Sequence, residues 1–167
     1  MRLLDGDLTV ADLDAFLATI DDVAEATNTT VQAFDADYVV SEAHLRRAVE
    51  RADRAIARDE NVARDRAVEV LCYAAGRRQI NRALEMGVAE GENRAVVLVD
   101  SPAGETAAEE AAIDALREHI EDGDVLGEYD EATVREFFDV EDAELDAVEG
   151  TLADIVLERV ALLDVEK

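Results

Sequence analysis

Three arginines and one glutamine lie within six consecutive residues, in the order Arg77, Arg78, Gln79 and Arg82. A planar guanidinium group binds a phosphate through two parallel hydrogen bonds and also stacks on an aromatic base. A glutamine amide both donates and accepts hydrogen bonds. These residue types at this spacing indicate an anion-binding segment, and they raise the question of whether the chain contacts nucleic acid.

The positive charge is concentrated in one part of an otherwise acidic chain. The sequence has 42 acidic and 16 basic residues and a formal net charge of -26. Residues 46–82 contain ten basic and six acidic residues, a local charge of +4, so the remaining 130 residues carry -30. This asymmetry predicts an anion-binding face. The alternative is a solvated helix surface whose arginines pair with acids at i, i+4, as Glu50 and Arg54 would.

The acidic residues are dispersed along the chain and are not grouped in a tail. At ~1 M salt the Debye length falls to about 3 Å, so the repulsion between these charges is largely screened. Together with a single lysine and alanine-rich helices, this composition is typical of a protein adapted to a salty cytoplasm. The alternative is an acidic surface that mimics nucleic acid or docks on a basic partner.

Helical phasing places the arginines on two predicted faces. Ser41 is a predicted N-cap, and four arginines of the helix after it fall within about 60° of one another at about 100° per residue. We call these four residues the arginine stripe, and His44 is predicted near its edge. The arginine stripe is Arg47, Arg51, Arg54 and Arg58, with Leu45, Val49, Ala52 and Ile56 predicted on the buried side; Arg78 and Arg82 share a second face, with Ile80, Ala83 and Leu84 opposite.

The sequence contains no recognisable catalytic or cofactor motif. His44 and Cys72 form an imaginable dyad, but no third member or nucleophile motif accompanies them. His119 and the carboxylates lack a metal-ligand spacing such as HExxH, and "GVAEGENR" lacks the Lys and the Ser or Thr of a phosphate loop. We therefore predict that the chain is not an enzyme and has no catalytic residue, no metal and no cofactor.

Hydrophobic patterning predicts a helix-rich α+β fold, a single domain over residues 1–167 with a small mixed sheet. Strands are predicted in "RLLDGDLT", at Thr30–Phe34 and in "RAVVLVD". Capping boxes that begin at Thr9 and Thr106 predict two helix starts. Gly76 is predicted to end one helix before a second, "RRQINRALEM". With no transmembrane window and no signal peptide in "MRLLDGDLTV", the predicted location is cytoplasmic.

The last predicted helix, "TLADIVLERVALL", is apolar over much of its circumference. Such a pattern is more often that of a helix buried in the core, and a helix that docks on a partner would show the same pattern. Its apolar residues are Leu152, Ile155, Val156, Leu157, Val160, Ala161, Leu162 and Leu163.

Several segments in order resemble one protein family: "FDADYVVSEAHLRRAVERADRA", "AVEVLCYAAGRRQINRALEMGV", the strand "AVVLVD" and the terminal "LADIVLERVALL". The chain is similar to the smallest regulatory subunit of the KEOPS tRNA-modification complex, the family of the eukaryotic protein that binds the complex's atypical kinase. The most specific part is "EVLCYAAGRRQINRAL", and the resemblance runs from about Asp35 to Leu163. The acidic background would fit an archaeal member from a high-salt cell.

The resemblance implies a non-catalytic subunit that supports the threonylcarbamoyl modification of an adenosine beside the tRNA anticodon. It implies two partners, the kinase subunit and the single-stranded CCA end of tRNA, and neither a membrane nor a small-molecule substrate. An acidic interaction module that regulates a kinase without RNA contact is the alternative. The residues carried over are Arg77, Arg78, Gln79, Ile80 and Arg82 for RNA, with the arginine stripe added from phasing, and Leu152, Ile155, Val156, Val160 and Leu163 for the kinase.

Recognition of a single-stranded RNA end also requires stacking, for which aromatic side chains are suited. Aromatic residues make up only 4% of the chain. Tyr73 is the obvious stacking candidate near the arginines, and the alternative for Tyr73 is a position in the core.

Overall fold

The computed structural model describes residues 1–166. This part of the chain forms eight α-helices and four β-strands, which confirms the predicted α+β class. The strands are β1 Arg2–Val10, β2 Thr30–Asp35, β3 Gly91–Asp100 and β4 Glu121–Asp122. The helices are α1 Leu13–Thr27, α2 Glu42–Ala57, α3 Arg66–Ala75, α4 Ile80–Ala83, α5 Thr106–Leu116, α6 Glu131–Phe137, α7 Asp142–Ala147 and α8 Leu152–Glu166, and 3₁₀ turns cover Ala36–Tyr38 and Leu84–Met86.

The chain divides into two compact units, one of residues 1–36 and 87–125 and the other of residues 37–86 and 126–166. The predicted single domain over residues 1–167 stays a prediction, and Lys167 lies outside the described residues. Within residues 1–166, no helix has both the length and the apolar character needed to cross a bilayer.

The first unit is a four-stranded sheet in the order β2-β3-β1-β4. Helix α1 joins β1 to β2 and helix α5 joins β3 to β4, which is the connectivity of a ferredoxin-like split βαβ fold. Both helices contact the sheet and each other. The core of this unit includes Leu4, Leu8, Val31, Val97 and Ile113.

The prediction of a mixed sheet is wrong, because every described strand pairing is antiparallel. β1 and β2 both run antiparallel to β3, so they are parallel to each other. β3 lies between them, and the two parallel strands therefore never pair. The hydrophobic pattern identifies a strand but not the strand that pairs with it, so the direction of pairing could not be predicted from the sequence.

Both predicted capping boxes are wrong. Thr9 belongs to β1, where it lies opposite Glu92, and Asp12 caps α1 instead, with its carboxylate 3.0 Å from a backbone nitrogen of the first turn. Thr106 is already inside α5, and the buried Glu109 carboxylate accepts the N–H of Ser101 at 2.9 Å. In each case a contact with a strand or its end takes the place of the local motif.

Gly6 lies in β1 where this strand pairs with β4. Its φ is +155°, and a Cβ at this position would stand 1.9 Å from the carbonyl oxygen of Glu121. Because that atom belongs to the backbone, Gly6→Ala must displace β4, and we expect a loss of roughly 1–3 kcal/mol in thermal unfolding at fixed salt. Gly91→Ala is the matched control, since its φ is +103° but no atom lies within 4 Å. Equal losses in the two variants would contradict the close approach.

The second unit is built on α2, α3 and α8, which contact one another. Ser41 caps α2 as predicted, and its hydroxyl accepts the N–H of His44 at 3.2 Å. Gly76 ends α3 as predicted, with a left-handed φ of +61°. The buried core includes Leu45, Ala48, Val70, Leu71, Ile155 and Val156.

Glu69, the glutamate that begins "EVLCYAAGRRQINRAL", is buried in α3 and holds the loop before that helix. Its Oε2 accepts the N–H of Val62 at 3.0 Å and the N–H of Ala63 at 2.8 Å. A buried carboxylate is stabilised by such hydrogen bonds, and the loop nitrogens are satisfied in return. This residue of the segment therefore has a structural role.

Candidate nucleic-acid interface

The arginine-rich segment begins where α3 ends. The N–H of Arg77 donates to the carbonyl of Cys72 at 3.0 Å, which closes the helix behind Gly76. The predicted helix "RRQINRALEM" is too long, because α4 covers only Ile80–Ala83 and a 3₁₀ turn follows it. Gln79 provides no side-chain cap for α4, and residues 77–79 form an irregular link.

The side chain of Arg77 packs inside the second unit, to which Arg77 belongs, and it contacts the end of α6. Its Nη2 donates to the backbone carbonyl of Phe137, and its guanidinium lies 5.2 Å from the centroid of the Phe137 ring. Asp139 is 3.6 Å from the same guanidinium, and only 23% of the Arg77 side chain is exposed. Terminal helix carbonyls lack intrahelical partners, so an arginine at this end stabilises the helix. Direct RNA contact by Arg77 stays a prediction, while its observed contacts are structural.

Arg78, Gln79, Ile80 and Arg82 are all exposed. Ile80 and Leu84 are predicted on the side opposite Arg78 and Arg82, yet they are exposed like the arginines, with exposed fractions of 38% and 56%. Ala83, predicted on the same side, is fully buried. The phasing failed because α4 is a single turn and the 3₁₀ turn after it advances by about 120° per residue, compared with about 100° in an α-helix.

A cleft of about 260 Å³ lies beside this exposed run, within the second unit. We call it the Tyr38 cleft. The ring of Tyr38 packs edge-on against that of Phe137, with centroids 5.2 Å apart. The guanidinium of Arg82 is 3.5 Å from Glu85, and both side chains are about half exposed. The residues that line the cleft are Tyr38, Arg82, Glu85, Thr133, Glu136 and Phe137.

Helix α6 supplies one wall of the Tyr38 cleft through Thr133, Glu136 and Phe137, which share a face at i, i+3 and i+4. Asp130 caps this helix by accepting the N–H of Thr133 at 3.0 Å, and that hydrogen bond lowers the pKa of Asp130. The N–H of Asp130 donates to the carbonyl of Asp37 at 3.1 Å. The residue before Tyr38 is thereby fixed to the start of α6.

Tyr38 is the residue that sequence reasoning missed. It is far in the sequence from Arg77 and Arg82, and it lies in the 3₁₀ turn that follows β2. Tyr73, the predicted stacking candidate, is fully buried and donates its hydroxyl hydrogen to Asp164. Burial raises the pKa of Tyr73, and the hydrogen bond to Asp164 raises it further. Tyr73 therefore belongs to the core.

The arginine stripe on α2 is divided by its contacts. Arg51 is partly exposed and pairs with Asp164 of α8 at 3.2 Å. Arg54 and Arg58 are exposed and Arg47 is partly exposed. Leu45, Val49 and Ala52 are buried as predicted. Within residues 1–166, no ion pair involves Arg47, Arg54 or Arg58.

Two further residues of α2 differ from the phasing prediction. Ile56 is 39% exposed instead of buried, because α2 ends one residue later and no longer follows the core. His44 is fully buried instead of lying at the edge of the stripe, because α3 and the ring of Phe138 cover that side of the helix.

Both ring nitrogens of His44 bind backbone groups. Nδ1 accepts the N–H of Val40 at 3.3 Å, so it carries no proton, and Nε2 donates to the carbonyl of Ala74 at 2.8 Å. Burial lowers the pKa of His44 to about 4, and the ring is therefore neutral near pH 7. The carbonyl that it satisfies belongs to the last turn of α3, immediately before the arginine segment. His44 stabilises this helix end, and neither nitrogen is available to act as a base.

Helix α8 carries the five residues predicted to contact a kinase, and all five are buried. Their interior position follows from the packing of α8 on α2 and α3. The outward side of α8 includes Asp154, Glu158 and Leu162. Arg159 binds Glu144 at 2.6 Å and donates to the carbonyl of Phe138 at 3.2 Å, so α8 also holds the end of α6. The five buried residues are Leu152, Ile155, Val156, Val160 and Leu163.

The family model described as kinase binding protein CGI-121 matches residues 11–164, which cover the first unit from residue 11 onward and the second unit as far as residue 164. The comparison with curated proteins gives no match. Since the family match covers nearly the whole chain, this protein belongs to the CGI-121 family of kinase-binding proteins.

Proposed function

We propose that this chain is a non-catalytic regulatory subunit of a cytoplasmic KEOPS complex that binds the atypical kinase subunit and the single-stranded CCA end of tRNA. Family membership supports the kinase partner. The observation that carries the RNA part is the exposed run of Arg78, Gln79, Ile80 and Arg82 beside the Tyr38 cleft. Threonylcarbamoyl transfer to tRNA belongs to another subunit, and this chain holds the substrate.

The side chains of this run suit an unpaired RNA end. Arg78 and Arg82 supply charge for phosphates, Gln79 supplies a donor and an acceptor for base edges, and Ile80 offers an exposed apolar surface. On single strands, log K falls by ~0.7 per neutralised phosphate for each tenfold rise in salt. In a high-salt cell, to which the acidic composition points, affinity must therefore depend on stacking and base-edge contacts.

The arginine stripe is proposed as a second, weaker contact for the tRNA backbone. Arg47, Arg54 and Arg58 are the members that suit this role, because Arg51 is held by Asp164. Their contribution should be uniform across RNA sequences, since phosphate contacts carry no sequence information.

Helix α8 is proposed as part of the kinase interface. Its five predicted contact residues are buried, and they support this role by fixing the helix on α2 and α3. The exposed Asp154, Glu158 and Leu162 are then the groups that a partner meets first. An acidic module that binds the kinase without touching RNA is the competing function, and the acidic exposed side of α8 favours a basic protein partner there.

The charge reversal of Arg78→Glu with Arg82→Glu tests the RNA role. Each lost arginine contact is worth about 1–3 kcal/mol, so we expect tRNA affinity to fall at least 30-fold, roughly, while kinase binding is retained. Gel shifts at high salt measure the first, and co-purification with the kinase subunit measures the second.

Arg46→Glu with Arg117→Glu is the matched control. It changes the charge by the same amount, and the exposed fractions of these side chains, 53% and 54%, are close to the 52% of Arg82. Equal tRNA binding by the Arg78/Arg82 variant and the control would contradict the RNA-binding role of this segment. The competing function, a module that binds only the kinase, would then be supported. A tRNA trimmed of its CCA end should bind more weakly than intact tRNA, and equal binding of the two would exclude end recognition.

A further inference from the structure

The arginine segment has an aromatic neighbour that its own sequence does not contain. We propose that Tyr38 is the platform on which an unpaired base stacks, and that the base enters the Tyr38 cleft. This inference rests on the proposed RNA function and deepens it, because it names the side chain that receives the base. It also assigns the stacking role for which Tyr73 is too deeply buried.

The position of Tyr38 is fixed by its surroundings. Its ring meets that of Phe137 at an interplanar angle of 88°, and Phe137 is in turn held by the guanidinium of Arg77 at 5.2 Å. The backbone of Asp37, the residue before it, is hydrogen-bonded to the start of α6. Tyr38 itself remains partly exposed and lines the cleft. A ring that is already ordered loses little conformational entropy when a base stacks on it.

The size of the Tyr38 cleft fits one base rather than a larger ligand. Its volume of about 260 Å³ lies below the range of about 300–1,000 Å³ that is typical of pockets for drug-sized molecules. The side chains around it offer both kinds of hydrogen-bonding group. Arg82 donates, the carboxylates of Glu85 and Glu136 accept, and the hydroxyl of Thr133 does both.

Arg82 connects the cleft with the exposed arginine run. Its contact with Glu85 is 3.5 Å long and joins two half-exposed side chains, so this ion pair contributes little and is readily exchanged for a phosphate. A nucleotide whose base stacks on Tyr38 therefore has a cation beside it for its phosphate. Single-strand binding sites combine aromatic rings for the bases with positive charge for the backbone, and Tyr38 and Arg82 supply one of each.

A cationic side chain from a protein partner would also suit two aromatic rings and two carboxylates. Arg82 argues against that occupant, because its positive charge lines the same cleft. The base is therefore the ligand that the lining favours, and an arginine ligand is kept as an outcome of the test.

Tyr38→Trp allows the contact to be observed directly, because the chain contains no other tryptophan. The probe is a single-stranded RNA decamer that ends in CCA-3′, and the control RNA has the same backbone with abasic sites at its last three positions. We expect quenching of the tryptophan emission by the first RNA and not by the second. A base that stacks next to the indole changes its emission, whereas a phosphate contact alone does not place a ring there.

Affinity measurements on the other variants complete the test. Tyr38→Leu keeps the bulk against Phe137 and removes the ring plane, so the decamer should bind about 5- to 100-fold more weakly. Tyr38→Phe keeps the ring and should bind within about twofold of the original protein. Unfolding curves and amide NMR spectra confirm that each variant is folded before it is compared.

The possible failures are distinguishable. Unquenched emission with wild-type-like binding by Tyr38→Leu would overturn the stacking role, while sensitivity to the Arg78/Arg82 charge reversal would preserve the proposed function. Absence of RNA binding by the original protein would overturn both. Quenching by N-acetyl-argininamide but not by its neutral citrulline analogue, without quenching by RNA, would assign the cleft to a protein partner and overturn the inference.

Discussion

Lowering the pH from 7 to 4 is expected to remove about 3 kcal/mol of folding free energy through His44 alone. Burial lowers the pKa of this ring from 6.5 to about 4 in the folded protein. Above pH 6.5 the ring is neutral in both states, so its contribution is fully present. Between these two values only the unfolded chain binds the proton. Stability is therefore lost as the pH falls from 6.5 to the folded pKa of about 4.

The hydrogen bonds of His44 explain why the folded state resists protonation. Nδ1 accepts the N–H of Val40, and Nε2 already donates its hydrogen to Ala74. A second proton would go to Nδ1, where it would face a donor and place an unsolvated charge in the core. Since Ala74 precedes Gly76 at the end of α3, the same protonation should loosen the start of the arginine segment.

Urea unfolding between pH 7 and pH 4 at constant high salt measures this contribution. The carboxylates also titrate toward pH 4, so the informative quantity is the difference in unfolding free energy between the original protein and His44→Gln. That difference should shrink by about 3 kcal/mol across the range. His119→Gln is the control, because it removes an exposed histidine. A control that lost the pH dependence as fully as His44→Gln would contradict the assignment.

The parts of the fold that were predicted correctly depend on local signals. Ser41 begins α2 because its hydroxyl accepts a hydrogen bond from the first turn, and Gly76 ends α3 because it adopts a left-handed conformation without a Cβ. Both effects are set by residues within one helical turn of the boundary. The strands at Thr30 and in "RAVVLVD" were likewise recognised from their apolar and β-branched content.

The parts that were missed depend on contacts between distant segments. Thr9 loses its predicted capping role because β1 continues through it in pairing with β3. Ile80 and Leu84 are exposed because the short α4 does not keep the phase of a long helix. Tyr38 and Arg82, which are distant in the sequence, line one cleft together with residues of α6. The charge excess of the arginine window was visible in the sequence, whereas which arginines are exposed depends on tertiary contacts.

Replacement of Arg77 by methionine is expected to cost about 2–4 kcal/mol of stability, although Arg77 is part of the predicted RNA-binding run. The charged hydrogen bond to the Phe137 carbonyl is worth about 1.5–3 kcal/mol, and the contact with the Phe137 ring adds about 0.5–1 kcal/mol. Both are made in a largely buried position. Methionine keeps an unbranched apolar chain, so the loss reports the guanidinium contacts rather than a cavity.

Arg82→Met separates this anchoring role from RNA contact. Its partner Glu85 is half exposed, so this variant should lose less than about 1 kcal/mol of stability and yet bind tRNA more weakly. Arg77→Met should lose both stability and tRNA affinity, because the α6 wall of the Tyr38 cleft is no longer held at Phe137. Urea is the suitable denaturant for both variants, since guanidinium chloride would change the ionic strength along the titration. If Arg77→Met unfolded at the original urea concentration while losing tRNA affinity, Arg77 would be a direct RNA contact, and α6 would be held by Arg159 without it.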